Sequence, residues 1–215
     1  RFELHVLAGW TLPAFHDVPR VRARVAAVDR RALSGPDGVV KVPSNYGSSM
    51  VAQHRAQDIG AHTVLWITPG SRAVEEFTSM NALVVTSDGV LHAPPPGPGV
   101  LDGVVRRTVL ELAGGAGLAV SDAPMAWPAP DEPGDRVAAL LASATAAGLV
   151  PIAGVKEVGP DGALHTWRSA TPPTDELVEL HRLVEGALDG SSHEQWWADA
   201  ATLRSWPVDA ASDVP

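Results

Sequence analysis

Apolar positions along the chain fall mostly into short runs bounded by glycine, proline and aspartate, and a 3.6-residue period emerges at only a few places. Phe2–Ala8 and Val21–Val28 read as strands on either side of a loop over Trp10–Pro19. A turn-rich stretch follows, and Val39-Val40 leads to Lys41, which this pattern puts at a strand end. Pro43-Ser44-Asn45 supplies a helix-start signal, and Tyr46 to Ile59 is helical, with Met50, Ala52, Ala56 and Ile59 as its apolar positions and Gly60 as its stop. Thr63–Thr68 and Ala73–Glu76 read as paired strands around Pro69-Gly70. Asn81–Thr86 and Val90–His92 form a hairpin about Ser87-Asp88-Gly89. After the connector Pro94–Gly99, a helix runs from Gly103 to Leu112 and exits at Gly114-Gly115.

Leu118–Ser121 is a further strand, and Val137–Leu141 fits either a strand or a short helix. Leu149–Val155 and Ala163–Trp167 pair across Gly159-Pro160-Asp161-Gly162, Thr174–Leu188 is an amphipathic helix, and Glu194–Ala200 adds a last helical turn or two. Strands and helices mixed without a repeat predict an α+β or α/β architecture.

Composition narrows what such a fold does. The 215 residues are 45% hydrophobic, enough for a full core despite 20 glycines and 19 prolines. With 16 Lys plus Arg against 25 Asp plus Glu, the net charge of −9 argues against a nucleic-acid partner. No apolar run approaches the roughly 20 residues that span a bilayer, so a cytoplasmic protein with no membrane partner is expected. The absence of cysteine removes disulfides, thiolate zinc sites and cysteine nucleophiles, and the eight histidines never cluster at ligand spacing, so no metal is expected. Neither a phosphate-binding P-loop nor a G-x-S-x-G elbow is present. The chain's charge is arginine-dominated: Lys41 and Lys156 are its two lysines, and Tyr46, five residues after Lys41, is its one tyrosine.

The order of pieces is informative. Lys41-Val-Pro-Ser-Asn-Tyr46 opens a helix, Glu75-Glu-Phe-Thr-Ser-Met-Asn81 ends a strand, Leu101-Asp-Gly-Val-Val-Arg-Arg107 leads into a helix, and Ser143-Ala-Thr-Ala-Ala147 follows a strand. From Val21 to Trp197 this resembles the branched-chain aminotransferase group of the fold type IV pyridoxal-phosphate enzymes. The fold implied is the C-terminal cofactor-cradling domain of those enzymes, which are D-amino acid aminotransferase-like. Residues 1–30 would be the remnant of an N-terminal domain and the interdomain connection, 31–200 the cofactor-binding domain and 201–215 a tail, the N-terminal domain being largely absent.

The resemblance assigns roles. Lys41 would be the catalytic Schiff-base lysine and proton shuttle; the bland alternative is a solvated surface lysine. Tyr46 would meet the cofactor's O3′ and Glu76 its pyridine nitrogen, with Glu75 on the opposite face if the stretch is extended. Ser79 and Met80 match a Thr-Met pair beside the cofactor in some members. Val104 and Val105 match two backbone donors to the phosphate, which suits a helix N-terminus, and Thr145 matches a phosphate-binding hydroxyl. Ala146 and Ala147 match a turn whose amides help bind the substrate carboxylate, though a plain small-residue turn reads the same.

Three positions depart from the family pattern: Asp102 stands where proline is usual, Pro43 intervenes before Asn45, and Phe77 replaces a small residue near the ring and would narrow the pocket or displace the ring slightly. The implied activity is transfer of an amino group between an amino acid, branched-chain by resemblance, and a 2-oxo acid, with pyridoxal 5′-phosphate as cofactor, in a homodimer. An aminodeoxychorismate lyase using the same lysine, and a truncated non-catalytic binding module, are the alternatives.

Overall fold

The computed structural model describes residues 21–26, 36–132, 134–169 and 173–189. The strand expected at Phe2–Ala8, the loop over Trp10–Pro19 and the helical turn at Glu194–Ala200 lie outside the described residues. The strands are β1 (Val21–Ala26), β2 (Thr63–Ile67), β3 (Val74–Phe77), β4 (Asn81–Thr86), β5 (Val90–His92), β6 (Ala119–Ser121), β7 (Val137–Ala144), β8 (Gly148–Val158) and β9 (Leu164–Arg168). Helices α1 (Ser44–Asp58), α2 (Val104–Ala113) and α3 (Asp175–Asp189) join them. None of these helices is long and apolar enough to cross a membrane.

Six strands close on themselves. The sheet runs β3-β2-β1-β8-β7-β4, and β3 pairs with β4 as well, completing a ring. β1 is parallel to β2 and β8, and the ring's other pairings are antiparallel. The ring encloses one apolar cluster, with Ala23, Leu65, Phe77, Ala82, Val84, Leu140, Ala142 and Ile152 among its members. Alternate residues of the same strands face outward. Leu83, Val85, Ala139 and Leu141 pack with Val105 and Val109 of α2 and Leu180 and Val184 of α3, whereas Val64 and Trp66 pack with Ala52 and Ala56 of α1. With both faces covered, β2 and β4 read as unbroken apolar runs rather than as alternations. The same two-sided burial makes residues 137–144 a strand, where periodicity alone leaves a short helix open.

Helix α1 differs from the pattern expected of it. Its buried stripe is Asn45, Ser49, Ala52 and Ala56, while Met50 is 75% exposed. Small residues let the helix lie close on β2 and Trp66. Ahead of it, Pro36–Val39 form a single 3-10 turn rather than a strand, so Lys41 sits in a loop entering α1 and not at a strand end. Pro43 occupies the cap position without a side-chain hydrogen bond. Asn45 turns back to donate its Nδ2 to the Val40 carbonyl at 3.0 Å, and this bond spans the loop that carries Lys41.

Candidate active site

A bulge decides where the glutamates point. Leu65 pairs with Phe77 and Ile67 with Val74, so β3 spends one residue more than β2 over this interval. Val74 and Phe77 therefore both reach the interior cluster, and the two glutamates between them leave it for different neighbours. Glu75 accepts from Thr68 Oγ1 at 2.9 Å and lies against Gly99. Glu76, 4% exposed, accepts from Asn81 Nδ2 at 3.0 Å and from the Leu101 N–H at 3.1 Å, both at Oε2. Phe77 is fully buried inside the ring and takes no part in the wall of the cavity beside Glu76, which corrects the expectation that it narrows the site.

That cavity has a volume of about 220 Å³. Its wall includes Lys41, Tyr46, Glu76, Ser79, Val104, Val105 and Thr145, drawn from four separate segments of the chain. Each arrives for a local reason. The β3–β4 turn supplies Ser79, and Asn81 directly faces Glu76 in that hairpin. Thr145 follows β7, whose Ser143 is the register partner of Asn81, so both turns end on one rim of the ring. Tyr46, half-buried, sits in the first turn of α1, and Lys41 is exposed just before it.

Ala146 and Ala147 share the turn with Thr145 but do not line the cavity. The Ala147 N–H is engaged by the Ala144 carbonyl at 3.2 Å, and its side chain packs against the interior cluster. The Ala147 amide is thus already committed within the turn.

Helix α2 begins at the cavity. Gly103 caps it with no side-chain hydrogen bond, so the first-turn N–H groups, those of Val104 and Val105 among them, have no intrahelical carbonyl and carry the positive end of the helix dipole. Such an end suits an anion. Asp102, at the position where the resemblance expects proline, puts a carboxylate beside that end. It is engaged by Arg107, with Nε at 2.9 Å and a second, shorter contact, and lies 3.8 Å from Arg106 Nη1. The Arg107 bond holds the Asp102 carboxyl below its usual range. Arg106 is 5% exposed, and burial lowers its guanidinium from the ordinary value while Nη2 donates to the Pro94 carbonyl at 3.0 Å. That bond ties the proline-rich connector to α2.

Ser143, Asn81 and Gly103 are among the wall residues to which sequence reasoning assigns no role. Ser143 is 1% exposed, and its Oγ finds no hydrogen-bond partner among the described residues. Asn81 is 6% exposed and sits at the centre of the polar contacts around Glu76. Gly103 is required by closeness: a Cβ there would stand 2.0 Å from Asn81 Oδ1. The spacing of the β3–β4 hairpin was the available signal for Asn81, since a tight turn sets it opposite Glu76.

With this geometry the relatives can be placed. A family model described as amino-transferase class IV matches residues 6–155, and the chain belongs to that family, whose members depend on pyridoxal phosphate. Within it the chain is similar to branched-chain enzymes. It is 32% identical over 133 residues to the branched-chain-amino-acid aminotransferase of Mycolicibacterium smegmatis (strain ATCC 700084 / mc(2)155), covering 59% of this chain and 36% of that protein. The branched-chain aminotransferase of the archaeon Thermoproteus uzoniensis, solved with norvaline, superposes with a TM-score of 0.69 at 22% identity, over 89% of this chain and 58% of that one. The T.th. branched-chain amino acid aminotransferase, solved with pyridoxamine 5′-phosphate, gives 0.65 at 20% identity, over 88% and 57%. The fold is that of the fold type IV aminotransferases. The chain spans about a third of the curated relative and a little over half of each solved chain.

Proposed function

We propose that the chain carries the cofactor-cradling part of a transaminase that moves an amino group between an amino acid, branched-chain in type, and a 2-oxo acid. The observation that carries this reading is the convergence of Lys41, Tyr46, Glu76 and the uncapped α2 terminus on one cavity. Those residues fit pyridoxal 5′-phosphate: a helix end for its phosphate, a buried carboxylate for its ring nitrogen, an exposed amine, and the Ser143 hydroxyl, which has no partner among the described residues. When bound, the cofactor supplies an aldehyde that condenses with amines and a ring that accepts electron density from the substrate's α-carbon.

The residues divide the remaining work. Lys41 supplies the amine that anchors the cofactor and afterwards carries a proton to and from the substrate α-carbon, and its exposed place at the cavity suits both tasks. Glu76 holds a proton on the facing ring nitrogen, since an opposed carboxylate favours the charged form. Tyr46 donates to or accepts from the ring oxygen. The amides of Val104 and Val105, with the hydroxyl of Thr145, bind the phosphate end, and Ser79 lies beside the cofactor. Asp102, neutralised by Arg107, weakens that cradle's field less than a free carboxylate would.

Val39, Val40, Met50 and Val51 are exposed on the Lys41 loop and α1, an apolar surface that supports a second subunit packing there in the proposed homodimer. The experiment is direct. Full-length protein mixed with pyridoxal phosphate develops visible absorbance that Lys41→Ala abolishes, and it transfers amino groups from leucine or valine to 2-oxoglutarate. Pyruvate release from aminodeoxychorismate without amino transfer would replace this reading with the lyase, and failure to bind the cofactor would replace it with a binding module.

A further inference from the structure

Asn81 makes a closed set of contacts that the proposed chemistry does not itself require. Its Nδ2 donates to Glu76 Oε2 at 3.0 Å and to the Leu101 carbonyl at 2.7 Å, and the Leu101 N–H returns to the same Glu76 oxygen at 3.1 Å. Both protons of the amide are thereby directed to acceptors, which fixes its orientation: a flipped amide would aim its oxygen at a carboxylate and a carbonyl. The other side of the amide rests against Gly103, where no side chain could fit. Leu101 lies two residues before that glycine, and α2 begins at the next residue.

A glutamate carboxyl has three rotatable bonds, and burial alone does not choose among them. Two donors converging on one oxygen do, and a donated bond to a charged acceptor is among the stronger hydrogen bonds. The donors come from different elements, β4 and the chain entering α2. The carboxylate is thus tied at once to the strand opposite it and to the segment that enters α2.

We propose that Asn81 is a positioning residue that fixes the Glu76 carboxylate relative to the N-terminus of α2, so that the ring-nitrogen contact and the phosphate cradle are held at one spacing. This rests on the reading of Glu76 as the partner of the cofactor's ring nitrogen. Asn81 acts through Glu76 in this scheme. Without it, Leu101 still holds the carboxylate from one side, and the carboxyl swings away from the plane of the ring.

The test compares pyridoxal phosphate with its 1-deaza analogue, which has carbon in place of the ring nitrogen and keeps the phosphate and aldehyde. Dissociation constants for both are measured by fluorescence quenching on full-length wild-type, Asn81→Ala and Asn81→Ser proteins, with unfolding midpoints of the cofactor-free forms. Wild type binds the natural cofactor at least tenfold tighter than the analogue. Asn81→Ala loses most of that preference, by about tenfold, through weaker binding of the natural cofactor alone. Asn81→Ser, with one donor, falls between them and serves alone if the alanine variant does not fold. Equal weakening of both ligands, or an unchanged preference, makes Asn81 a structural residue and overturns the proposal. Equal affinities in the wild type would instead remove the ring-nitrogen role of Glu76, and this inference with it.

Discussion

The Cα of Gly103 and the amide oxygen of Asn81 lie so close that a Cβ on the glycine would approach that oxygen to 2.0 Å. The amide is not free to retreat, because its nitrogen is committed to Glu76 and Leu101. Gly103→Ala must break one of these bonds or shift the start of α2. The expected cost is about 1–3 kcal/mol of stability, together with weaker cofactor binding. Urea unfolding and a cofactor titration measure the two effects.

Ser143→Ala behaves in the opposite manner. Its hydroxyl is buried with no partner among the described residues, so the cofactor-free protein loses no hydrogen bond to them and its stability stays within about 0.5 kcal/mol of wild type. If the hydroxyl serves a ligand in the cavity, the rise in melting temperature on adding pyridoxal phosphate becomes smaller in the variant. An equal rise in both proteins removes Ser143 from the site.

Arg72 is the one described non-glycine residue at positive φ, +57°. Its guanidinium bridges Glu157 through both oxygens at 2.7 and 2.8 Å and also donates to the Trp127 and Pro128 carbonyls. The clamp fastens the segment after β6 to β8 and maintains a left-handed backbone that side chains disfavour. Arg72→Ala loses about 2 kcal/mol or more. Arg72→Gly loses the same contacts but relieves the backbone, and should be more stable than Arg72→Ala by roughly 0.5–1 kcal/mol. Denaturant midpoints order the three proteins.

His62 gives the fold an acid-sensitive contact. Its Nδ1 accepts the Arg22 N–H at 3.0 Å, and burial first, then the charge of Arg22 with a smaller effect from Lys156, lowers the imidazole from its ordinary 6.5. The unfolded chain thus takes up a proton that the folded one resists. Stability from this contact is full above the ordinary value and falls as pH drops below it, until the lowered folded value is passed. His62→Asn, whose amide oxygen can accept the same N–H, flattens the change in melting temperature between about pH 7.5 and 5.5.

Much of this molecule could be read from its residues. Runs such as Leu83–Val85 and Leu65–Ile67 announced strands because packing on two faces leaves no polar position between the apolar ones. The four motif segments likewise came to one cavity. What escaped depended on neighbours distant in sequence. Met50 is one of the apolar positions of α1, yet it is exposed and the helix rests on the smaller Ala52 and Ala56. The family pattern puts Phe77 beside the pocket, whereas the extra residue in β3 sends it inside the ring. The placement of Ala147 follows from a turn bond to Ala144 that spacing does not encode.

The closed ring of six strands also governs how the protein reaches its native state. Val21 of β1 lies beside Ile152 of β8, so this seam joins parts of the chain separated by most of its described length. Contacts of such long range are slow to form and costly in loop entropy. The rim that bears Glu76, Asn81 and Thr145 takes shape only as β4 and β7 come together. Cofactor added during refolding should therefore be captured with the slow phase of folding, as a ligand of the finished barrel rather than a nucleus for it.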